Sequence, residues 1–420
     1  MHTDAEAFLA RIRAYPDDDT HRLIFADWLD EHGDPRGAFI RIQLAQAQPQ
    51  QSEATRRRLQ VEEQALLEAH RAAWEAPLRA CGATGCEFRR GFVDEIKIEA
   101  QQLLRHAPIL FTISPIRHIH LLDVGESLNE VFRCPYLSRL ASLTIHAQHI
   151  GDALAQAVAA SNSLTNLQRL TLTKNRLSNE AAEYLANSPY LAQLEELILT
   201  DNEIGEAGAQ ALAGSPYLSR LRRLEAGSNR LGPTGAEAMA SSERLSSLTT
   251  VGFSDNALGT PRLQTLPHAA NLLRFLRLDL SHNGFTASSL QAIVHRPVAT
   301  ELKPATIREL DLSFNALGDA GARVLASSPH LNALEVLRLA HCDIGDDGAR
   351  ALANSPYLNH VVDLDLENNP ISDSGFRAFL DSPHWRSLRR LNLPRLGLSP
   401  GIRNALDRYF NRPLRRSEGH

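Results

Sequence analysis

The 420-residue sequence predicts an α/β solenoid with one short strand and one helix in each repeat, preceded by a small helical module. Segments that begin at Leu167, Leu194 and Leu221 match one another at a constant step of 27 residues. Each segment opens with alternating apolar residues, as strands do, and closes with apolar residues at helical spacing. Residues 4–48 lack the repeat and show helical spacing alone.

The repeat frame accounts for residues 140–399. Its copies begin at Leu140, Leu167, Leu194, Leu221, Leu248, Phe275, Ile307, Leu334, Val361 and Leu388. Only the step from Phe275 to Ile307 differs, at 32 residues, and the extra residues fall in the stretch 295–306. Insertions in repeat arrays map to loops, so we predict a loop there.

Each copy divides into a strand half and a helix half. Leu337 and Leu339 flank a polar residue, which predicts a short strand with its leucines inward. Ala209, Leu212 and Ala213 have the spacing of a buried helix face, and a Ser-Pro pair then ends the helix. A pair this small cannot bury its own apolar face. The copies must therefore stack, with a parallel sheet on the concave face and helices on the convex face.

An asparagine recurs at one position of the frame. The residues are Asn175, Asn202, Asn229, Asn256, Asn283, Asn315 and Asn369. An inward amide can satisfy backbone groups of the turn that no helix or sheet partner reaches, so we predict a structural role for this Asn ladder. Cys342 replaces the asparagine in one copy, and Gln148 and Leu396 replace it in the two terminal copies.

The consensus LxxLxLxxNxIGxxGAxALAxSPxL resembles the ribonuclease-inhibitor-like subclass of leucine-rich repeats over residues 140–399. That subclass also contains the Ran GTPase-activating proteins. The resemblance implies a leucine-rich-repeat solenoid. It also implies an alternative to a passive scaffold, namely a regulator of a partner enzyme that resembles a GTPase-activating or inhibitor protein.

Two degenerate repeat turns are predicted upstream, in residues 92–139. They carry the strand spacing without the asparagine, at Val93, Ile96, Ile98, Ile116, Ile119 and Leu121. Terminal copies of a solenoid are expected to be atypical because they cap the stack. Residues 400–420 are predicted to form the C-terminal cap and tail.

Residues 1–48 predict a separate module of two short helices followed by a third after Pro35. Asp18, Asp19 and Thr20 offer side-chain acceptors for a helix start, and Gly33 provides a stop. The module is rich in acids, at Asp17, Asp18, Asp19, Asp27, Asp30, Glu31 and Asp34. Without the spacing of a calcium loop, these acids predict helix caps and a solvated face rather than a metal site.

The segment FLARIRAYPDDDTHRLIFADWLDEHGDPRGAFIRIQ closely resembles the repeat-companion domain found at the N-terminus of repeat proteins in planctomycetes and some myxobacteria. EFRRGFVDEI at residues 87–96 resembles the segment that succeeds this domain in that family. The resemblance implies a bacterial source and carries over no biochemical activity. Residues 49–91 are predicted to be a connecting helix, from Gln51 to Ala73, and a loop.

Composition and motifs exclude several function classes. A net charge of −5 and a pI near 6.4 give no general attraction to nucleic acid or membrane. Neither a signal peptide nor a membrane-spanning segment is evident, so we expect a soluble cytoplasmic protein with its four cysteines as free thiols. Without a GxSxG, HExxH, GxxxxGK[ST] or GxGxxG motif, we predict no enzyme activity, catalytic residue, metal, cofactor or small-molecule substrate.

The strand residues that flank the buried leucines map the inner face. We predict a protein-binding scaffold that holds a macromolecular partner there, at an acidic stretch of the C-terminal half. The residues of this hypothesis are Asp279, Glu309, Asp311, Arg338, Asp363, Asp365 and Glu367. The alternative is a merely solvated sheet face, because solenoid surfaces are generally polar.

Two other binding hypotheses remain open. His118, His120 and His146 could converge on one metal, although no orienting carboxylate is evident in the sequence and coincidence is favoured. Nucleic acid could contact the C-terminal arginines, but stacking aromatics are few there. Those arginines are Arg403, Arg408, Arg412, Arg415 and Arg416.

Overall fold

The computed structural model of the chain describes residues 2–49, 51–265, 269–295, 307–393 and 398–410. The predicted loop at 295–306, apart from His295, lies outside these residues, as do Leu396, Arg412, Arg415 and Arg416. The chain divides into two compact units. The first comprises residues 1–150 and 157–172, and the second comprises residues 151–156 and 173–420.

The first unit opens with the predicted helices α1 (His2–Ala14), α2 (Asp19–Glu31) and α3 (Arg36–Gln46). Asp18 caps α2, because its carboxylate accepts the Thr20 N–H at 2.9 Å. Ile12, Phe25 and Ile40 pack into one apolar core with Phe92. The prediction of two short helices followed by a third is confirmed.

Several acids of this module form ion pairs on its exposed face. Asp17 pairs with Arg117 at 2.7 Å, and Arg41 binds both Asp27 and Asp30. These ion pairs are largely exposed, so each contributes little to stability.

The connecting helix α4 (Glu53–Ala80) is longer than predicted. Ser52 caps it by accepting the Thr55 N–H at 3.1 Å. The helix continues to Ala80 because Trp74 packs on Phe39 of α3, with ring centroids 4.9 Å apart. Tertiary packing of this kind extends a helix beyond its amphipathic repeat.

Strands of the first unit follow one another in chain order. They are β1 (Gly85–Arg89), β2 (Phe92–Glu99), β3 (His118–Leu122), β4 (Ser142–Thr144) and β5 (Arg169–Thr171). β1 and β2 form an antiparallel hairpin, and β2, β3, β4 and β5 pair in parallel. The predicted upstream strand segments are therefore confirmed, as β2 and β3.

Three further helices accompany these strands: α5 (Ala100–Ile113), α6 (Leu128–Val131) and α7 (Asp152–Ala160). The division between the two units falls within α7.

In the second unit every described strand pairs in parallel with the next along the chain. The strands are β6 (Glu196–Ile198), β7 (Arg223–Glu225), β8 (Thr250–Gly252), β9 (Arg277–Asp279), β10 (Glu309–Asp311), β11 (Val336–Arg338), β12 (Asp363–Asp365) and β13 (Arg390–Asn392). The central residue of each strand is a buried leucine or valine. The predicted α/β repeat fold is confirmed.

The helices of the second unit alternate with these strands. They are α8 (Asn179–Ala186), α9 (Glu206–Gly214), α10 (Gly232–Ala240), α11 (Ala287–Val294), α12 (Gly318–Ala326), α13 (Asp346–Ala353), α14 (Asp373–Asp381) and α15 (Pro400–Tyr409). Between β8 and β9 the described residues form 3₁₀ turns, Pro261–Thr265 and Ala269–Arg274, instead of an α-helix. No described helix has the length and apolar character needed to cross a bilayer.

The asparagine of each repeat lies inside the turn that follows its strand. Asn256 is 1% exposed, and its Oδ1 accepts the Leu231 N–H of the preceding copy at 3.0 Å. Its Nδ2 donates to the Ala226 carbonyl of that copy at 2.9 Å, and to the carbonyls of Phe253 and Ser254 in its own copy at 3.2 and 3.0 Å. The amide therefore joins consecutive copies by satisfying buried backbone groups on both sides.

The two described substitutions of this asparagine keep part of its bonding. The Gln148 Nε2 donates to the Leu121 carbonyl at 2.8 Å, and its Oε1 accepts the Val124 N–H at 2.7 Å. The Cys342 thiol donates to the Leu312 carbonyl at 3.2 Å but offers the preceding turn no amide oxygen. All four cysteines of the chain are buried free thiols.

A further set of polar side chains, besides the asparagines, links the starts of consecutive helices. Asp346, at the start of α13, accepts the Ser372 N–H at 2.7 Å and the Ser372 hydroxyl at 2.6 Å. Asp319 likewise accepts the N–H groups of Gly345 and Gly348, at 2.7 and 2.9 Å. Each side chain thus binds the backbone at the helix start of the next copy.

From these links between helix starts we predict that acid lowers the stability of the second unit. Burial acts to raise the pKa of the Asp346 carboxyl, but the hydrogen bonds from Ser372 outweigh it and hold the pKa below its usual 3.8. A lowered folded-state pKa gives stability that is present above about pH 4 and is lost as the pH falls through the folded value. In urea denaturation between pH 7 and pH 2.5, Asp346→Asn is expected to reduce this acid-dependent loss of stability. An acid-dependent loss in Asp346→Asn as large as in wild type would contradict the assignment.

Candidate functional site

Outward residues of the second unit form two rows across neighbouring strands. Strand register places Arg277, Glu309, Val336, Asp363 and Arg390 in the first row. Asp279, Asp311, Arg338, Asp365 and Asn392 form the second row. Glu367 lies two residues beyond Asp365, past the end of β12.

Arginines neutralise the acids of the first row. The Arg277 Nε lies 3.0 Å from a Glu309 carboxylate oxygen, and an Arg390 terminal nitrogen lies 2.8 Å from an Asp363 oxygen. These two acids were expected to extend the acidic stretch, but arginines on the adjacent strands offset their charges. The acidic character of the face is therefore concentrated in the second row and at Glu367.

Carboxylates of the second row fold back on their own turns. Asp279, Asp311 and Asp365 each accept the N–H two residues ahead, at 2.8, 2.9 and 2.9 Å. Burial raises the pKa of the Asp311 carboxyl, partly opposed by the hydrogen bonds from Ser313. Arg338 lies between Asp311 and Asp365 yet forms no ion pair with any described residue.

Beside the second row, three rings stack on one another. The Phe314 ring lies between His282 and His341, with centroid separations of 4.0 and 4.4 Å and interplanar angles of 13° and 16°. We call these residues the aromatic column. Phe314 is 45% exposed. Because imidazoles cover both faces of its ring, the column presents ring edges to solvent.

A shallow depression of about 330 Å³ separates the column from the second row. Its lining includes Phe314, Arg338, Ala340, Asp365 and Glu367. Ala340 occupies the position that Ser313 and Glu367 hold in the neighbouring copies, so its short side chain leaves space between their longer ones. The depression thus combines an aromatic edge, carboxylates and a guanidinium in one place.

A family model described as a leucine-rich repeat matches residues 163–186, 192–213, 273–294, 303–326, 330–353 and 357–380. These six segments are similar to leucine-rich repeats. Four of these matches, from residue 273 to residue 380, include the strands β9, β10, β11 and β12 of the two rows and the aromatic column.

Solved structures that align with this chain include an internalin from Listeria monocytogenes and the complex of Rad7 and Elc1 in yeast. The internalin is 14% identical, with a TM-score of 0.38, and the alignment covers 72% of this chain and 87% of the internalin chain. The chain from the yeast complex is 15% identical, with a TM-score of 0.41, and the alignment covers 73% of this chain and 71% of that chain. No curated protein matches the chain.

The aromatic column occupies a repeat position that sequence reasoning missed. This residue directly precedes the ladder position, and its backbone is left-handed in every described copy of the second unit. The residues are Lys174, Asp201, Ser228, Asp255, His282, Phe314, His341 and Asn368. Bulky side chains are disfavoured in that conformation, so a phenylalanine among Asp, Ser and Asn residues was the available signal.

The histidines of the N-terminal repeat turns are paired with carboxylates. The His118 Nε2 lies 3.1 Å from an Asp94 oxygen, and the His120 Nε2 lies 2.8 Å from a Glu95 oxygen. The expectation that no carboxylate orients them is wrong, because strand pairing places β2 acids beside them. His146 is exposed, and no cluster of three potential metal ligands occurs in the described part of the chain.

Proposed function

We propose that this chain is a protein-interaction scaffold that holds a macromolecular partner on the strand face of its second unit. The observation that supports the proposal is the exposed Phe314 in left-handed backbone. A bulky residue in that conformation costs on the order of 1–3 kcal/mol. Such a cost at an exposed aromatic side chain is typical of binding sites rather than of a merely solvated surface.

The depression beside the aromatic column fits an apolar or aromatic side chain of a protein partner. Ring edges carry partial positive charge and pack well against the face of another ring. Asp311, Asp365 and Glu367 on one side would favour basic neighbours of that side chain. Arg338, without an ion pair among the described residues, would donate hydrogen bonds to a partner carboxylate or carbonyl.

We also propose that the repeats are of the ribonuclease-inhibitor-like subclass and that the N-terminal module is a repeat-companion domain. We propose further that the chain is a bacterial, cytoplasmic protein without catalytic residues. The consensus LxxLxLxxNxIGxxGAxALAxSPxL and the module sequence FLARIRAYPDDDTHRLIFADWLDEHGDPRGAFIRIQ support these assignments.

Phe314→Asn is expected to weaken partner binding by about 30-fold or more while the fold persists. Asn368 occupies the equivalent position two copies later, so the backbone accommodates asparagine there. Removing a central aromatic anchor typically costs about 2 kcal/mol or more, equal to roughly a 30-fold weaker Kd. A partner identified by affinity purification and mass spectrometry from native cells would be titrated calorimetrically against wild type and variant.

Two further variants make this test specific. Ala340→Gln fills the depression and should also weaken binding, whereas Val61→Ala removes an exposed apolar side chain of α4 and should not. Replacing Asp311, Asp363 and Asp365 by lysine should further weaken the binding of a basic partner. Unchanged affinity in Phe314→Asn, Ala340→Gln and the charge-reversed variant would reject the strand face as the binding surface.

A further inference from the structure

Arg36, at the start of α3 in the first unit, has no ion-pair partner among the described residues. Its guanidinium carbon lies 5.1 Å from the Trp74 ring centroid and 6.0 Å from that of Phe92. Its Nε is buried and has no hydrogen-bond partner in the described part of the chain. Asp34 is the acid closest in sequence, and its carboxylate accepts the Arg36 backbone N–H at 2.8 Å without forming an ion pair with the guanidinium.

The guanidinium groups of two other arginines in the helical module have hydrogen-bond or ion-pair partners. Arg22 is 3% exposed, donates to the Pro16 carbonyl at 2.7 Å and lies 3.8 Å from an Asp19 oxygen. Arg41 forms ion pairs with Asp27 and Asp30. Partial burial lowers the pKa of Arg36, and the nearby Asp34 carboxylate opposes this shift without reversing it.

The Arg36 side chain lines a cavity of about 80 Å³. Trp74, Phe88, Val93 and Ile113 form its apolar walls. Ser114 also lines it, but its hydroxyl donates to the Val93 carbonyl at 2.6 Å, so that hydrogen is already used. Among the described residues, Arg36 is the only charged side chain that lines this cavity.

A buried guanidinium nitrogen without an acceptor is costly, so folded proteins normally supply an acceptor or bind one. A guanidinium matches a carboxylate best, because two parallel N–H groups meet its two oxygens. A single cation between apolar walls suits a monoanion with a short apolar body better than a phosphate dianion. A volume of about 80 Å³ holds on the order of three to five heavy atoms, which excludes a folded peptide.

We propose that this cavity binds a short-chain carboxylate, of the size of acetate or propionate, through Arg36. The carboxylate accepts hydrogen bonds from the guanidinium, and its alkyl group lies against the aromatic and aliphatic walls. The site is independent of the proposed strand-face function, because it lies within the first unit and uses none of the strand-face residues.

The test measures anion binding to the full chain by calorimetry and by thermal shift at constant ionic strength. Sodium acetate, propionate and hexanoate are compared with sodium phosphate and sodium chloride. Acetate and propionate are expected to bind and to raise Tm with increasing concentration, whereas the larger and the doubly charged anions should not. Equal shifts with chloride or phosphate, or no binding of either short carboxylate, would overturn the proposal.

Variants separate a ligand site from a purely structural arginine. Arg36→Gln should weaken propionate binding by about 10- to 100-fold, the loss expected for a charge-assisted hydrogen-bonded pair. Arg41→Gln, further along α3 and away from the cavity, should leave binding unchanged. If Arg36→Gln does not fold, Ile113→Ala keeps the arginine and enlarges the cavity, so preference should shift from propionate toward hexanoate. Undiminished binding in Arg36→Gln, or unchanged preference in Ile113→Ala, would reject the site.

Discussion

Replacing Asn256 by alanine is expected to lower the free energy of unfolding of the second unit by about 3–5 kcal/mol. The amide is 1% exposed and bonds to Leu231, Ala226, Phe253 and Ser254, so alanine leaves one N–H and three carbonyls without this partner. A buried polar group that loses its partner costs about 1–3 kcal/mol. Urea denaturation followed by circular dichroism measures the loss, and hydrogen exchange locates it in the copies beside Asn256.

Cys342 provides a control within the same chain. It occupies the asparagine position naturally, its thiol donates to the Leu312 carbonyl, and it replaces the amide oxygen by sulfur, which is a weaker acceptor. Asn256→Cys is therefore expected to cost less than Asn256→Ala, and Cys342→Asn should raise stability by about 1 kcal/mol, because it restores an acceptor for the preceding turn. If Asn256→Ala and Asn256→Cys are equally mild, the ladder amides do not carry the stability assigned to them.

The repeat fold was predictable because it depends on a periodic signal. The buried Leu224 and Leu337, and the alternation around them, recur in copy after copy, so chance deviations in a single copy do not obscure the frame. The helix-start links, such as Asp346 to Ser372, are periodic too. They were missed because an acid at a helix start already has a local explanation as a cap.

The candidate site was less predictable, because it depends on single copies and on side-chain direction. Outward positions followed from strand alternation, but the pairing of Glu309 with Arg277 crosses the 32-residue step and depends on which way each long side chain turns. The stacking of Phe314 between two imidazoles requires left-handed backbone in three copies. Neither propensity nor hydrophobic period carries that information.

The sequence did not reveal that Arg36 lacks an ion-pair partner, for a similar reason. An arginine in an acidic module predicts an ion pair, and the sequence places Asp34 two residues before it. The guanidinium instead lies against the rings of Trp74 and Phe92 and forms no ion pair with a described carboxylate. Only the tertiary arrangement reveals a charge that lacks compensation.

Gly91→Ala is expected to destabilise the first unit by about 2–5 kcal/mol. Gly91 lies in the two-residue turn between β1 and β2, with φ of +90°, a conformation that residues with a side chain rarely adopt. An added Cβ would lie 2.1 Å from the Ile40 Cγ1 and 2.9 Å from the Ile40 Cα. The second contact involves α3 backbone, so rotation of the Ile40 side chain cannot relieve it.

The same change should also break the contact that holds α3 against the hairpin. The Gly91 N–H donates to the Gln43 Oε1 at 2.7 Å, and a displaced turn loses that buried hydrogen bond. Limited proteolysis should then cut within residues 1–48 faster than in wild type.

Gly33→Ala is the matched control: Gly33 also has a left-handed φ, of +69°, but nothing lies within 4 Å of its added Cβ. Gly33→Ala should lower the free energy of unfolding by only about 1–2 kcal/mol. If Gly91→Ala and Gly33→Ala lose equal stability, backbone conformation alone, and not the close approach of α3 to the turn, requires glycine at position 91.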